Sequence, residues 1–199
     1  MNVAVIPARY GSKRIPHKNI RQFLGKPIIA YSIEKALSSK LFDKVIVSTD
    51  NDKIKSIAKE FGAEVPFKRP AKLSDDYAGT TEVIAHAIEW MENQTWTLSS
   101  VCCIYATAPL LDIGYLKMGY DIFIKEDWDY VFSATEFIYP VERSFKVLDN
   151  GGLKMLLEEN LNKRSQDLTP TFHDAGQFYW GTPEAWVKKK PVFSETSTI

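Results

Sequence analysis

A basic loop near the amino terminus, residues 8–19, holds the side chains of this chain that are best suited to chemistry. It follows a short apolar run and contains one glycine, one serine and the cations Arg9, Lys13, Arg14 and Lys18. An apolar run bounded by a proline is typical of a buried strand. In open α/β sheets, main-chain N–H groups and cations at the carboxyl end of a strand bind phosphates. The pattern therefore predicts an anion site; the alternative is a solvated basic loop after an edge strand.

Three further segments carry hydrogen-bonding groups that suit a ligand. Residues 69–81 contain an arginine, two aspartates and a Gly-Thr-Thr turn, which suit the reading of a nucleotide base; the alternative is an Asp-rich surface turn with a helix cap at Thr80. Residues 106–109 are small and follow a predicted strand. Residues 164–177 combine Arg, Gln, His and Asp, which suit the carboxylate and hydroxyls of an acidic sugar. The alternative for the His-Asp pair is an ordinary loop hydrogen bond.

Several other chemistries are excluded by the spacing of the polar residues. The basic loop lacks the G-x-x-x-x-G-K-[ST] spacing of a P-loop, so a P-loop ATPase or kinase is disfavoured. No Ser, His and Asp residues follow a hydrolase order. The three histidines and the adjacent Cys102 and Cys103 do not form a zinc-ligand pattern.

The fractions of hydrophobic and charged residues are typical of a globular protein. Its 199 residues are 45% hydrophobic and 25% charged, which predicts one domain over residues 1–199 with an adequate core. The formal net charge is 0, so we expect neither a nucleic-acid nor a membrane partner. Adjacent cysteines do not easily bridge, which favours a reducing, cytoplasmic location.

Apolar runs and helical periodicities alternate along the first two thirds of the chain. Strands are predicted at 3–6, 44–49, 65–67, 101–105 and 130–135, and helices at 28–37, 52–61, 82–93 and 113–125. This alternation predicts an α/β fold in which helices cross between parallel strands. The strand-end loops would then meet at one crevice of a doubly wound sheet.

The pattern changes after Glu136. Residues 137–175 are rich in aromatic, proline and polar residues, with short β-like pieces at 145–147 and 153–156, and they indicate a lid or a subunit-contact arm. A strand at 177–180 and a short capped helix follow. The polar residues 188–199 are expected to be poorly ordered.

The segment from Ile6 to Asn19, I-P-A-R-Y-G-S-K-R-I-P-H-K-N, resembles the amino-terminal signature of the CMP-sialic acid synthetase group of cytidylyltransferases. Arg69-Pro70 with the Thr80 turn, and then A-T-A-P-L at 106–110, fall in the order of the second and third motifs of this group. The resemblance therefore covers most of the chain. It implies a three-layer, Rossmann-like nucleotidyltransferase fold with a mostly parallel sheet. It also implies a small β-containing dimerisation arm that completes the sugar pocket of a neighbour in a homodimer.

The resemblance implies transfer of CMP from CTP to a nine-carbon 2-keto sugar acid, with Mg²⁺ and release of pyrophosphate, as a step in glycan biosynthesis such as flagellin glycosylation. The stretches 164–168 and 173–181 are most similar to enzymes that act on pseudaminic acid. Sialic acid enzymes have other residues where this chain has Tyr105 and Leu111. Their sugar-facing lysine is replaced near residues 139–142, with Arg143 next, and these departures disfavour N-acetylneuraminate. Legionaminic acid and N-acetylneuraminic acid remain alternatives, as does a non-catalytic nucleotide-binding module.

The roles of individual residues follow from the same resemblance. Arg9 and Lys18 are the expected catalytic residues. The expected nucleotide-binding residues are Ala8, Arg9, Gly11, Ser12, Lys13, Asn19, Arg69, Thr80 and Thr107. The expected sugar-binding residues are Tyr105, Arg143, Arg164, Gln166, His173, Asp174 and Gln177. The group's late Asp-x-Asp metal motif does not occur here, so the metal ligands are unknown and we expect that the chain lacks a carboxyl-terminal segment.

Overall fold

The structure, a computed structural model, describes residues 1–199. The strands are β1 (Asn2–Pro7), β2 (Gln22–Phe23), β3 (Lys26–Pro27), β4 (Lys44–Ser48), β5 (Ser100–Ile104), β6 (Tyr130–Glu136), β7 (Phe145–Val147), β8 (Leu153–Met155), β9 (Phe172–Gly181) and β10 (Ser197–Thr198). The α-helices are α1 (Ile28–Ser39), α2 (Asp52–Glu60), α3 (Thr80–Asn93), α4 (Ile113–Phe123) and α5 (Pro183–Val187). None of these helices combines the length and the apolar character that a membrane crossing requires.

The chain divides into two compact units. The first comprises Met1–Ser133 and Gly176–Ile199. The second comprises Ala134–Ala175, and its bounds are close to the segment 137–175 that the sequence indicates as a lid or a subunit-contact arm.

A six-stranded sheet has the order β10-β6-β9-β5-β1-β4. The pairs β1–β4, β1–β5 and β10–β6 are parallel, whereas β9 runs antiparallel to β5. The predicted α/β sheet with mostly parallel strands is therefore confirmed. From β4 on one side of β1, the chain passes to β5 on the other side. The carboxyl ends of β1 and β5 thus form a topological switch point, where open α/β sheets bind ligands.

Helices cover both faces of this sheet. Alternate strand residues such as Ile6, Val47 and Ile104 pack in one cluster with the apolar sides of α1, α2 and α4. Their neighbours Val5 and Cys103 are also fully buried, and α3 contacts both β1 and α5. Since successive strand residues point to opposite faces, the arrangement has three layers.

Local capping groups set the starts of two predicted helices. The Asn51 side chain accepts hydrogen bonds from the main-chain N–H groups of Lys53 and Ile54 and so begins α2. Thr182 caps α5 in the same way, with Pro183 in its first turn. The helix cap that was the alternative for Thr80 is wrong, because Thr80 is the first residue of α3. Gly79 is the cap, and its N–H donates to the carboxylate of Glu82 at 3.2 Å.

Two other sequence predictions are wrong. Residues 65–67 do not form a strand, because pairing with β4 is confined to Glu64. Pro66 has no N–H with which to continue the ladder. The tail at 188–199 is not irregular throughout: β10 pairs with β6, and the Thr196 hydroxyl donates to Asp129 at 2.7 Å.

The second unit contains one antiparallel hairpin, formed by β7 and β8. The turn between them includes Gly151, which has a φ of 80° and therefore a conformation that favours glycine. The hairpin strands lie where the sequence predicts them. Phe145, Val147 and Leu153 are all more than half exposed.

Candidate active site

A pocket of about 550 Å³ opens at the carboxyl ends of β1 and β5, within the first unit. Of the residues selected from the sequence, its lining includes Arg9, Ser12, Lys13, Lys18, Asn19, Arg69, Thr80, Tyr105 and Thr107. Segments that are far apart in the sequence thus meet at the topological switch point. The volume lies within the range of small-molecule sites, about 300–1,000 Å³.

The basic loop is held in shape by hydrogen bonds to its main chain. The buried Asn19 side chain donates through Nδ2 to the carbonyl oxygen of Arg9 at 2.8 Å. The N–H of Tyr10 donates to Oδ1 of Asp50 at 3.0 Å. Asp50 follows β4, so it fixes the loop to a neighbouring strand. These contacts limit the freedom of the cationic side chains before any ligand binds.

The turn into Lys18 is strained. His17 has a φ of 52°, which is uncommon for a residue other than glycine. Its ring packs against Tyr10 with a centroid distance of 4.3 Å, which helps to hold this conformation. Lys18 then begins a short 3₁₀ helix, Lys18–Ile20, and lines the pocket without an ion pair to any carboxylate. Such a cation is available to an anionic ligand.

Two predicted residues of the basic loop do not line the pocket. Ala8 is fully buried in the core. Gly11 is exposed, its φ lies outside the glycine-favouring region, and a Cβ there would meet nothing within 4 Å. The protein itself therefore does not require glycine at this position.

Arg69 is a buried cation in the lining of the pocket. It is 4% exposed, and neither Nε nor Nη2 has a hydrogen-bond partner. Burial lowers the pKa of Arg69 to about 10, although the nearby Asp50 acts in the opposite direction. Its position is set through the main chain, where its N–H donates to the carbonyl of Thr49 at 2.9 Å. A buried guanidinium with unused donors is suited to a polar ligand group.

Tyr105 and Thr80 approach each other in the lining. The Tyr105 hydroxyl lies 3.5 Å from Oγ1 of Thr80. The main chain of Tyr105 is fixed on both sides, since its carbonyl accepts from the Ser32 hydroxyl and its N–H donates to the carbonyl of Gln177. Gln177 therefore supports Tyr105 through its backbone. Thr107 lines the pocket two residues further along.

The other predicted sugar-binding residues belong to the second unit. Arg164 forms a bidentate ion pair with Asp167, with N···O distances of 2.7 and 3.0 Å. Gln166 lies between them in the 3₁₀ helix Ser165–Asp167. Arg143 donates to the carbonyl of Lys163.

His173 and Asp174 also lie in the second unit, at the start of β9. Nδ1 of His173 lies 3.0 Å from the carbonyl oxygen of Asp174. The His173 ring packs on Phe137 with a centroid distance of 4.7 Å.

Comparison with known proteins assigns the chain to a family. A sequence profile described as "Cytidylyltransferase" matches residues 3–180. The chain belongs to the cytidylyltransferase family. It is 48% identical over 198 residues to the pseudaminic acid cytidylyltransferase of Campylobacter jejuni subsp. jejuni serotype O:2, across 100% of this chain and 85% of the relative. It is 29% identical over 196 residues to the N-acylneuraminate cytidylyltransferase of Escherichia coli O18:K1:H7, across 98% of this chain and 45% of the relative.

Solved structures agree with this assignment at the level of the fold. CMP:2-keto-3-deoxy-manno-octonic acid synthetase complexed with CTP has a TM-score of 0.68 at 16% identity and covers 98% of this chain and 79% of its own. The 4-diphosphocytidyl-2C-methyl-D-erythritol synthase of Anaerococcus prevotii has a TM-score of 0.62 at 14% identity, with coverages of 98% and 77%. This cytidylyltransferase therefore has the Rossmann-like nucleotidyltransferase fold.

The residues present do not form a ready magnesium site. No group of three or more His, Cys, Asp or Glu side chains is placed to hold a metal ion. Asp76 is the one carboxylate in the pocket lining, and it is ion-paired with Arg9 and Lys13. Mg²⁺ is usually held by one or two carboxylates together with waters and substrate phosphates. A paired carboxylate does not meet that need.

Sequence reasoning missed two carboxylates of this site. In the sequence, Asp50 only follows a predicted strand, and Asp76 only belongs to an Asp-rich turn. Their roles depend on contacts 40 and 67 residues away in the chain, to Tyr10 and Arg9. The basic loop itself could have indicated these carboxylates, because clustered cations are commonly paired with carboxylates in a folded protein.

Proposed function

We propose that this cytidylyltransferase transfers CMP from CTP to the anomeric hydroxyl of pseudaminic acid, giving CMP-pseudaminic acid and pyrophosphate. The choice of sugar is supported by the 48% identity over the whole chain to a pseudaminic acid enzyme, against 29% to an N-acylneuraminate enzyme. The single observation that carries the nucleotide assignment is the pocket itself, in which loop cations and a buried guanidinium line one cavity.

In the proposed reaction, the oxygen of the sugar's anomeric hydroxyl attacks the α-phosphorus of CTP in line. A new oxygen–phosphorus bond forms, the bond to the β-phosphate bridging oxygen breaks, and pyrophosphate leaves with that electron pair. The hydroxyl proton is released to solvent. Arg9 and Lys18 stabilise the charge that develops on the phosphates, and Ser12 and Lys13 bind the outer phosphates.

The remaining nucleotide contacts are proposed from the other lining residues. Arg69 and the Thr80 turn would bind cytosine, since the unused donors of Arg69 suit a carbonyl oxygen. Asn19 would lie near the ribose, and its side-chain oxygen is available while Nδ2 holds Arg9. Thr107 would line the junction between nucleotide and sugar.

We propose that the protein acts as a homodimer whose second unit contributes to sugar binding. The exposed apolar residues Phe145, Val147 and Leu153 of the β7–β8 hairpin support a subunit contact. The proposed sugar-binding residues outside the pocket lining are Arg143, Arg164, Gln166, His173, Asp174 and Gln177. Arginine and glutamine suit the carboxylate and hydroxyls of such a sugar.

A divalent cation and a cytoplasmic location complete the proposal. Mg²⁺ would enter with CTP, bound through phosphate oxygens and water. Cys102 and Cys103 are free and buried, as expected for a protein of a reducing compartment. The product would serve as an activated sugar donor in glycan biosynthesis, such as flagellin glycosylation.

Pyrophosphate release tests the proposal. The protein is incubated with CTP and Mg²⁺, and with pseudaminic, legionaminic or N-acetylneuraminic acid. We expect the fastest release with pseudaminic acid and none without a sugar. Equal or faster release with N-acetylneuraminic acid would overturn the choice of sugar. CTP binding without release from any sugar would support a non-catalytic module instead.

A further inference from the structure

Asp76 occupies the cationic side of the pocket in the structure. Its Oδ1 accepts a hydrogen bond from Nη1 of Arg9 at 2.7 Å, and its Oδ2 is paired with Nζ of Lys13. The hydrogen bond from Lys13, and to a smaller extent that from Arg9, holds the pKa of Asp76 below its usual value. Both oxygens of one carboxylate therefore contact two cations that would otherwise face a ligand.

The segment that carries Asp76 has its own local structure. The neighbouring Asp75 accepts hydrogen bonds through Oδ1 from the N–H groups of Tyr77 and Ala78, at 2.9 and 2.8 Å. Asp75 thus shapes the turn, whereas Asp76 points to the basic loop. Tyr77, between them and α3, is 93% exposed, so this turn has little packing to oppose a displacement.

We propose that Asp76 is an internal substitute for a phosphate group, which binds Arg9 and Lys13 when the site is empty and competes with phosphate for them. The proposal rests on the placement of the triphosphate given under Proposed function. A carboxylate and a phosphate oxygen use the same donors on a guanidinium and an ammonium group. Two anions cannot share them without repulsion, so the ligand must displace Asp76.

This competition has a consequence for the reaction. Pyrophosphate leaves a site rich in cations, and strong binding would retain it there. When Asp76 returns to Arg9 and Lys13, it replaces the interactions that pyrophosphate gives up. Asp76 is therefore a residue that promotes product release, at the expense of some affinity for CTP.

Calorimetric titration with inorganic pyrophosphate tests the proposal. Asp76→Asn keeps the size of the side chain and removes its charge, so we expect affinity to rise about 5- to 10-fold. Asp75→Asn removes the same charge one residue away and keeps an oxygen for the turn. For that control, the affinity should change by less than about twofold.

A double-mutant cycle tests whether Asp76 acts on pyrophosphate binding through Lys13. Because Asp76 acts partly through Lys13, the gain from Asp76→Asn should shrink in a Lys13→Ala background. Unchanged or weaker binding by Asp76→Asn, an equal gain from Asp75→Asn, or a gain independent of Lys13 would each overturn the proposal.

The titration needs no sugar and no turnover, so its result is separate from that of the activity assay. A protein that releases pyrophosphate from CTP, yet shows no gain in Asp76→Asn, would refute this inference and leave the proposed function intact.

Discussion

The side-chain amide of Asn19 donates a hydrogen bond to the carbonyl oxygen of Arg9, ten residues earlier, at 2.8 Å. This contact closes the basic loop on itself at a site where only 7% of Asn19 is exposed. It joins the two ends of a segment whose cations line the pocket. The loop is therefore shaped by the protein and not by the ligand alone.

Asn19→Ala should impair the nucleotide site. The Arg9 carbonyl would lose its partner, at a cost of about 1 kcal/mol in the free energy of unfolding. Displaced cations should lower kcat/KM for CTP about 10- to 100-fold. Thr182→Ala is the control, because it removes the cap of α5 and costs a similar stability of about 1 kcal/mol. An equal loss of kcat/KM in both variants would mean that Asn19 acts only through stability.

Lys18→Ala should lower turnover about 100- to 1,000-fold with little change in thermal stability. Lys18 lies in the pocket lining and forms no ion pair that its loss would break. Lys53→Ala, on the exposed side of α2, removes the same charge elsewhere. Steady-state kinetics with CTP and circular dichroism melting measure both effects. Turnover close to that of Lys53→Ala would show that Lys18 does not contact the reacting phosphates.

Arg69→Met should stabilise the protein while it weakens nucleotide binding. Burial lowers the pKa of Arg69 to about 10, well below its ordinary value, so the folded state disfavours the charged form. Removal of this charge should raise the free energy of unfolding at neutral pH by about 1–3 kcal/mol. Methionine fills a similar volume, and CTP affinity should fall about tenfold or more.

The pH dependence of stability gives an independent check on Arg69. From about pH 10 up to the ordinary pKa of arginine, the folded wild type binds fewer protons at Arg69 than the unfolded chain. Its stability should therefore rise through this window relative to Arg69→Met, and the difference between the two proteins should narrow. A less stable Arg69→Met at neutral pH, or a constant difference across this window, would contradict the interpretation.

Arg164→Ala should raise KM for the sugar about tenfold and leave KM for CTP within about twofold. Arg164 is paired with Asp167, so loss of the pair alone has to be separated from loss of the charge. Asp167→Asn provides that separation, because it weakens the pair and keeps the guanidinium. Equal effects of both variants on the sugar KM would indicate a structural role for Arg164.

The parts of the fold set by local patterns were predictable from the sequence. Apolar runs predict β1, β4, β5 and β6, and the helix predicted at 52–61 corresponds to α2. The strand predicted at 65–67 was wrong, because its apolar residues indicated burial but Pro66 prevents a continued ladder. The strand predicted at 177–180 covers only the last part of β9, which begins in the second unit at Phe172 and ends at Gly181.

The residues that line the pocket were largely predictable from the sequence, but the contacts among them were not. Lining residues in the strand-end loops could be predicted, because the carboxyl ends of parallel strands meet at one edge of such a sheet. The ion pairs of Asp76 and the hydrogen bond from Tyr10 to Asp50 were not found, since each joins segments that only the folded chain brings together. The assignment of sugar-binding residues in the second unit stays a prediction.

Identification of the sugar nucleotide shows whether the proposed reaction occurs. The protein is incubated with CTP, Mg²⁺ and pseudaminic acid, or with N-acetylneuraminic acid at the same concentration, while pyrophosphate is measured and the sugar nucleotide is identified by mass. We expect pyrophosphate and CMP-pseudaminic acid in equal amounts, at a rate well above that with N-acetylneuraminic acid. Failure to form CMP-pseudaminic acid, or equal or faster turnover of N-acetylneuraminic acid, would overturn the proposed function.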